Sequence, residues 1–399
     1  MTASDRTLRE VVHALSDLER RAGSPGEREA ALWLAERLTR AGSPASVAEV
    51  DFLDGYALLL LPLGLAGLVA GGLHLSGRSR TRAGLLAAVA SALVIDDVSN
   101  GRRLWRRLVG RRRRTWNVTA TAGDPLAART LVVLAHHDAA PTGRVFDQSF
   151  QRWLARRFPK VVARIDTSLP LWWPVVSGGV TVAAGTLLGS RKLSATGTAL
   201  AGVVVALAAD IARSPIVPGA NDNLSAVAAL VALAERLSAD PPAGLRVLLV
   251  SCGAEEVIQG GIYAFAKSHF SRLPRESTWF VNLDTIGSPE LLLVEGEGPF
   301  WMEDYCDPGF RDLIAGAAGR AGLPVRRGVR ARASTDAVLP TRAGYPTATL
   351  ASWEPDTKLL SNYHLMSDTP ENLRFETVAH AVEVVHAVAR ELAQEWTNV

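Results

Sequence analysis

Hydrophobic and polar positions along this chain fall into two registers. Short apolar runs and amphipathic repeats at either end enclose four long stretches almost free of charge. Ser24-Pro25-Gly26-Glu27 reads as a capping box with proline in the first turn. The repeat through Ala30, Leu32, Trp33, Leu38 and Ala41 then predicts a helix stopped at Gly42. Residues 45–52 read as a strand. Apolar runs at 130–135, 245–251, 278–283 and 347–351 predict further strands, buried ones, each followed by a polar loop. Helices are expected from near Ser225, from Asp307-Pro308 to Gly322, and from about Glu376 onward. This succession predicts an α/β fold with a central mixed, largely parallel sheet flanked by helices, interrupted by two apolar helical hairpins.

The hairpins are the four apolar stretches taken in pairs. Residues 55–77 carry no charge, counting His74 as neutral, and are long enough to span a bilayer. Residues 83–95 are too short by the same rule. Residues 167–190 are uncharged, with Trp172 and Trp173 near one end, where interfacial aromatics sit; 193–209 are rich in Ala, Val and Gly. The pattern predicts transmembrane hairpins at 55–98 and 167–212 and a basic juxtamembrane segment at 99–114. The remaining pieces, 1–54, 115–166 and 214–399, would make one polar domain. Buried helical hairpins in a soluble protein, or an apolar dimer face, fit the same pattern.

Charge adds a direction. The net charge is +3 and the sequence pI about 9.1, yet arginine is clustered, with eight between Gly101 and Arg114. Arg152, Arg156, Arg157, Lys160 and Arg164 follow, whereas the hairpin tips hold only Arg78, Arg80 and Arg82, and Arg191 with Lys192. By the positive-inside tendency this predicts a multi-pass protein of the cell membrane whose polar domain faces the cytoplasm. A soluble cytoplasmic protein is the alternative. The basic runs suit anionic lipid, and the lipid bilayer is an expected partner. No nucleic-acid fold motif accompanies them, so nucleic acid is not an expected partner. Residues 1–54 lack a signal-peptide pattern, and Cys252 and Cys306 form neither a disulfide framework nor a Cys-x-x-Cys pair.

Candidate chemistry lies where the predicted strands end. The first buried strand runs into His136-His137-Asp138, and alternation puts His136 and Asp138 on one side. That suits His136 as a metal ligand oriented by Asp138, although a structural histidine reads the same way. Residues 245–251 lead to Ala254-Glu255-Glu256, adjacent carboxylates of which one is free to hold a metal while the other reaches a water. Asp284 closes 278–283, as a turn former or a ligand, at the carboxyl end of a strand where α/β sites lie. Asp222, in Pro218-Gly219-Ala220-Asn221-Asp222-Asn223-Leu224-Ser225, meets the positive end of a helix or caps it. His364 precedes the last helix, and Ser334-Thr335-Asp336 lines a cleft or turns the chain. Together these residues supply the N and O donors that zinc takes.

The order and spacing of these motifs resemble the co-catalytic di-zinc aminopeptidases, whose relatives include glutamate carboxypeptidases, glutaminyl cyclases and the transferrin-receptor domain. Ala135-His136-His137-Asp138, Pro218 to Ser225, Ala254-Glu255-Glu256, Asn282-Leu283-Asp284 and His364 with Asp368-Thr369 carry the resemblance, and Ser24-Pro25-Gly26-Glu27 extends it. It implies a zinc aminopeptidase-like α/β fold and two zinc ions, one on His136 and Asp284, the other on Glu256 and His364, bridged by Asp222. It also implies Glu255 as general base, Asp138 as partner of His136, and a peptide substrate hydrolysed by an exopeptidase, an aminopeptidase foremost. A glutaminyl-cyclase-like acyltransferase with one metal and a non-catalytic membrane interaction protein are the competing expectations. Ala226 stands where the family usually has Gly, and the connection from His136 to Asp222 is long. No oligomeric state is implied.

Overall fold

A computed structural model describes residues 3–394. Helices α1 (Ala3–Ser16) and α2 (Pro25–Arg40) lead into β1 (Ala45–Asp54) and the helix pair α3 (Ala57–Leu75) and α4 (Arg80–Val98). Then come α5 (Leu104–Val109), β2 (Arg111–Gly123), β3 (Arg129–His136), α6 (Ser149–Arg157) and α7 (Pro159–Val162). A second pair, α8 (Trp172–Leu188) and α9 (Arg191–Ile211), precedes α10 (Ser225–Ala239), β4 (Leu245–Cys252), α11 (Gly260–His269) and β5 (Thr278–Leu283). The chain closes with β6 (Glu290–Glu297), β7 (Glu303–Asp304), α12 (Pro308–Arg320), β8 (Arg326–Ala331), α13 (Val338–Arg342), β9 (Thr347–Trp353) and α14 (Phe375–Gln394).

The strands form one mixed sheet in the order β1-β2-β4-β3-β5-β9-β6-β7, with β8 beside β6. Its centre, β4-β3-β5-β9, is parallel, while β1, β2, β6 and β7 join antiparallel to their neighbours on this path. Period-two alternation sorts the centre into two cores. Leu131, Val133 and Ala135 of β3 pack with α1, α2, α10, α12 and α14, whereas Val132 and Leu134 pack with Ile262 and Phe265 of α11. Near-continuous apolar runs make strands here because both faces are covered.

The capping box forms in part. Ser24 Oγ accepts the Glu27 N–H at 3.1 Å, but the Glu27 carboxylate turns away from Ser24 and accepts instead from Gly23 N, Ala254 N and Thr115 Oγ1. A residue expected to finish a helix thus holds a distant loop.

Helices α3, α4, α8 and α9 pack together beside the sheet domain. Small residues bring backbones close: a Cβ on Gly178 would lie 2.5 Å from Ala201 N, and one on Gly197 2.6 Å from Val182 N. Two lengths differ from expectation. The charged flanks of 83–95 join the helix, so α4 carries Arg80, Arg82, Asp96 and Asp97. Conversely α8 has 17 residues, because 166–168 run extended along β8, where Ser168 N donates to Arg330 O at 3.2 Å. Among the described residues, α3 and α9 are long and apolar enough to cross a membrane, against three such segments expected. Leu58, Leu85 and Leu187 point outward at 64%, 63% and 79% exposure.

The foot of the first pair is tied into the domain. Arg106, fully buried, makes a bidentate pair with buried Asp97 at 2.8 Å for both bonds and donates to Leu53 O and Val257 O.

Candidate metal centre

Three parallel strands end at one edge and deliver most of the site. His136 ends β3 with Asp138 two residues on, Glu255 and Glu256 follow β4, and Asp284 follows β5. Asp222 lies in the turn between α9 and α10, and His364 in the loop after β9. Asp222 is no helix cap: the capping position of α10 is Leu224, which makes no side-chain cap bond. Its carboxylate turns inward. One oxygen lies 3.3 Å from His136 Nε2 and the other 3.2 Å from His364 Nε2.

All seven residues singled out in the sequence meet here. The donor atoms of His136, Asp222 and Asp284 lie within 4.8 Å of one another, and so do those of Asp222, Glu256 and His364. Glu256 stands 3.2 Å from His364 Nε2, and Glu255 3.9 Å from His136 Nε2. Asp138 lies 3.4 Å from His136 Nδ1 and accepts the N–H groups of Glu255 and Glu256 at 3.0 Å each. Alternation along β3 sends His137 the other way, to Ser251 Oγ at 2.9 Å.

Further residues support the site, and of these Arg20 carried no signal of its own in the sequence. Buried Arg20 donates to His137 O, Leu15 O and Pro218 O, joining the loops of His136 and Asp222. Asp368 accepts the N–H groups of Asn221 and Asp222 at 2.8 and 3.1 Å. Gln259 Nε2 donates to Glu255 Oε1 at 2.8 Å and to Ser334 O, and its own oxygen accepts from Asn100. The i, i+4 spacing of Glu255 and Gln259 was the available clue. Ser334 and Thr335 line the cleft, whereas Asp336 is buried behind it.

The electrostatics are those of a pocket short of positive charge. Burial lifts Glu255 well above the usual carboxylate range; His136 opposes this, while Asp336, Glu256 and Asp284 add to it. Burial likewise raises Asp284 to about 7, and Asp336 to about 7. Burial also favours protonated Asp222, but hydrogen bonds from His136 and His364 pull it below its ordinary value. His364 is driven the other way, to about 10, because Glu256 and Asp222 outweigh its burial. Among the described residues His364 Nδ1 and Glu256 Oε1 have no hydrogen-bond partner. Buried polar atoms without partners are rare, and a cation answers both shortfalls. Imidazole and carboxylate donors in this number fit zinc.

The sheet order and its covering helices make a zinc aminopeptidase-like α/β fold. The family model of Peptidase family M28 matches residues 199–389, which hold Asp222, Glu255, Glu256, Asp284 and His364. No curated protein matches it by sequence. Among solved structures, a Zn-dependent exopeptidase from Parabacteroides distasonis is 14% identical at a TM-score of 0.57, covering 97% of each chain. A glutaminyl cyclase from Bacteroides thetaiotaomicron is 13% identical at 0.58, again covering 97% of each. An aminopeptidase from Aneurinibacillus sp. is 14% identical at 0.55, covering 96% of this chain and 92% of its own. At these identities the likeness is one of fold.

Proposed function

We propose that this protein is a zinc-dependent exopeptidase, specifically a di-zinc aminopeptidase, held in a membrane by its two helix pairs. Asp222 carries the reading. Its two oxygens face His136 and His364 at 3.3 and 3.2 Å, so two donor clusters share one carboxylate. His136 and Asp284 with Asp222 would hold one ion, Glu256 and His364 with Asp222 the other. When bound, such a pair supplies Lewis-acid polarisation of the scissile carbonyl and a water of lowered pKa.

The chain's own groups do the rest. Asp138 fixes the His136 ring and, through two N–H groups, the loop of Glu255 and Glu256. Gln259 occupies Glu255 Oε1, which leaves Oε2 to take the proton of the attacking water and return it to the leaving amine nitrogen. The site's carboxylates favour a free α-amine on the substrate, which restricts cleavage to the N-terminal residue. Zinc content and hydrolysis of free and N-blocked leucyl peptides test this together. Glu255→Gln should keep its metal and lose hydrolysis; a variant with metal and undiminished hydrolysis refutes the assignment.

A second reading is favoured by the fold likeness to glutaminyl cyclases. Ammonia release from Gln-initiated peptides, with one zinc per chain, would establish it in place of the first.

The membrane reading rests on exposure. Only 39% of the apolar window of α3 and 22% of that of α9 is buried, unlike the core helix of a soluble domain. Arginine clustering favours a cytoplasmic domain made of 1–54, 115–166 and 214–399. Detergent, but not alkaline carbonate, should extract the protein from membranes.

A further inference from the structure

Lys358 is a largely buried residue whose charge the proposed reaction has no use for. It stands in the turn after β9 at a left-handed φ of 59°, is 7% exposed, and lines the same cleft as His136, Glu255 and Asp284. It also lines the adjoining cavity walled by Phe146 and Trp172, and so stands where the two meet. Its ammonium lies 4.6 Å from the centre of the Trp353 ring and has no acidic or carbonyl partner among the described residues. Glu290, the acid whose field reaches it most, is taken up by Trp353 Nε1 at 2.6 Å and by Arg326 at 3.5 Å. Arg330 on the same wall is different, being neutralised by Asp304 at 2.7 Å.

An ammonium partly withdrawn from water without an anion beside it is unfavourable, and a ring face offsets part of that cost. The loop nevertheless holds it in place. Glu354 takes Arg152 through two bonds of 2.7 Å, accepts Thr357 Oγ1 and Ser361 Oγ, and its carbonyl accepts the Lys358 N–H at 2.8 Å. The side chain is therefore presented to the cleft by a fixed turn and not left to swing into water.

We propose that Lys358 forms a carboxylate-binding subsite. The acidic cluster suits the substrate's α-amine, and Lys358 suits an anionic group further along the same molecule, with Leu292, Val294 and Trp353 as apolar wall. The ligand class is a short peptide bearing a carboxylate, either its C-terminal α-carboxylate or an acidic side chain. The inference rests on the peptidase reading and adds a substrate preference to it.

Two matched substrate pairs test it on the zinc-loaded full chain in detergent. Leucyl-alanine against leucyl-alaninamide probes the α-carboxylate. Leucyl-glutamic acid α-amide against leucyl-glutamine amide probes the side chain. The wild type should favour the carboxylate member of one pair by about tenfold in kcat/KM, chiefly through KM. Lys358→Met should bring that ratio to about one, and Lys358→Arg should restore much of it. The pair that shows the preference names the source. A Lys358→Met variant that slows both members of each pair equally would make the residue merely structural and overturn the proposal. So would a wild type that cleaves all four peptides without preference, which leaves the peptidase reading standing. If no peptide were cleaved, both would fall.

Discussion

Asn100 donates its side-chain N–H to Gln259 Oε1 at 2.8 Å, and Gln259 donates in turn to Glu255 at 2.8 Å. Asn100 lies just past the last turn of α4, and Tyr263 bonds its other atom at 3.1 Å. The foot of the first helix pair thereby props the carboxylate proposed to move protons. Gln259→Leu should lower kcat by roughly 10- to 100-fold with a small change in KM, since the base loses its orientation and not the substrate its contacts. Steady-state kinetics at matched zinc content measure this, and an unchanged kcat would remove Gln259 from any such role.

Sharing of Asp222 by two clusters predicts a stoichiometry. Elemental analysis of the wild type should give two zinc ions per chain, and Asp222→Asn one or none, with hydrolysis lost. Chelation should abolish activity, and added zinc should restore it. A fully active protein with one ion contradicts the bridging assignment.

Glu297, buried among Tyr305 and Thr335, is raised by burial from 4.5 to about 8. The folded protein keeps a proton there that the unfolded chain gives up near 4.5. Its contribution to stability is therefore whole below that pH and is lost as pH rises toward 8, at about 1.4 kcal/mol per unit at most. Glu297→Gln, which mimics the protonated form, should flatten the fall of Tm across this window. A Tm profile that keeps the wild-type slope would contradict the placement of this proton.

The Arg106–Asp97 pair is fully buried, so removing one partner strands the other. Asp97→Ala should cost about 3–5 kcal/mol in chemical denaturation, more than an exposed ion pair ever returns. Activity should fall too, because Arg106 also holds Val257 O, next to Glu255 and Glu256 in the chain.

The sequence was legible where local geometry decides. Apolar runs at 130–135, 245–251, 278–283 and 347–351 became central strands, and alternation correctly set His136 and Asp138 against His137. What convergence requires was hidden, because it depends on partners far along the chain. Glu27 looked like half of a helix cap yet serves Ala254, and Arg20 sat in an unremarked stretch although it joins two loops of the site. The uncharged runs at 83–95 and 167–190 do not coincide with α4 and α8 for a related reason. Arg106, beyond the apolar run, neutralises Asp97 and lets the helix continue through it, while pairing with β8 shortens α8 from outside.

The buttress at residues 96–106 bears on any attempt to make a smaller, water-soluble version of the protein. A truncation that discards everything between β1 and β2 would retain all seven candidate site residues and still forfeit Asn100 and Arg106. Such a fragment would keep Glu255, the proposed base, without the support that Asn100 gives it through Gln259. The greasy insertion and the chemistry are one inheritance, to be shortened only above that foot.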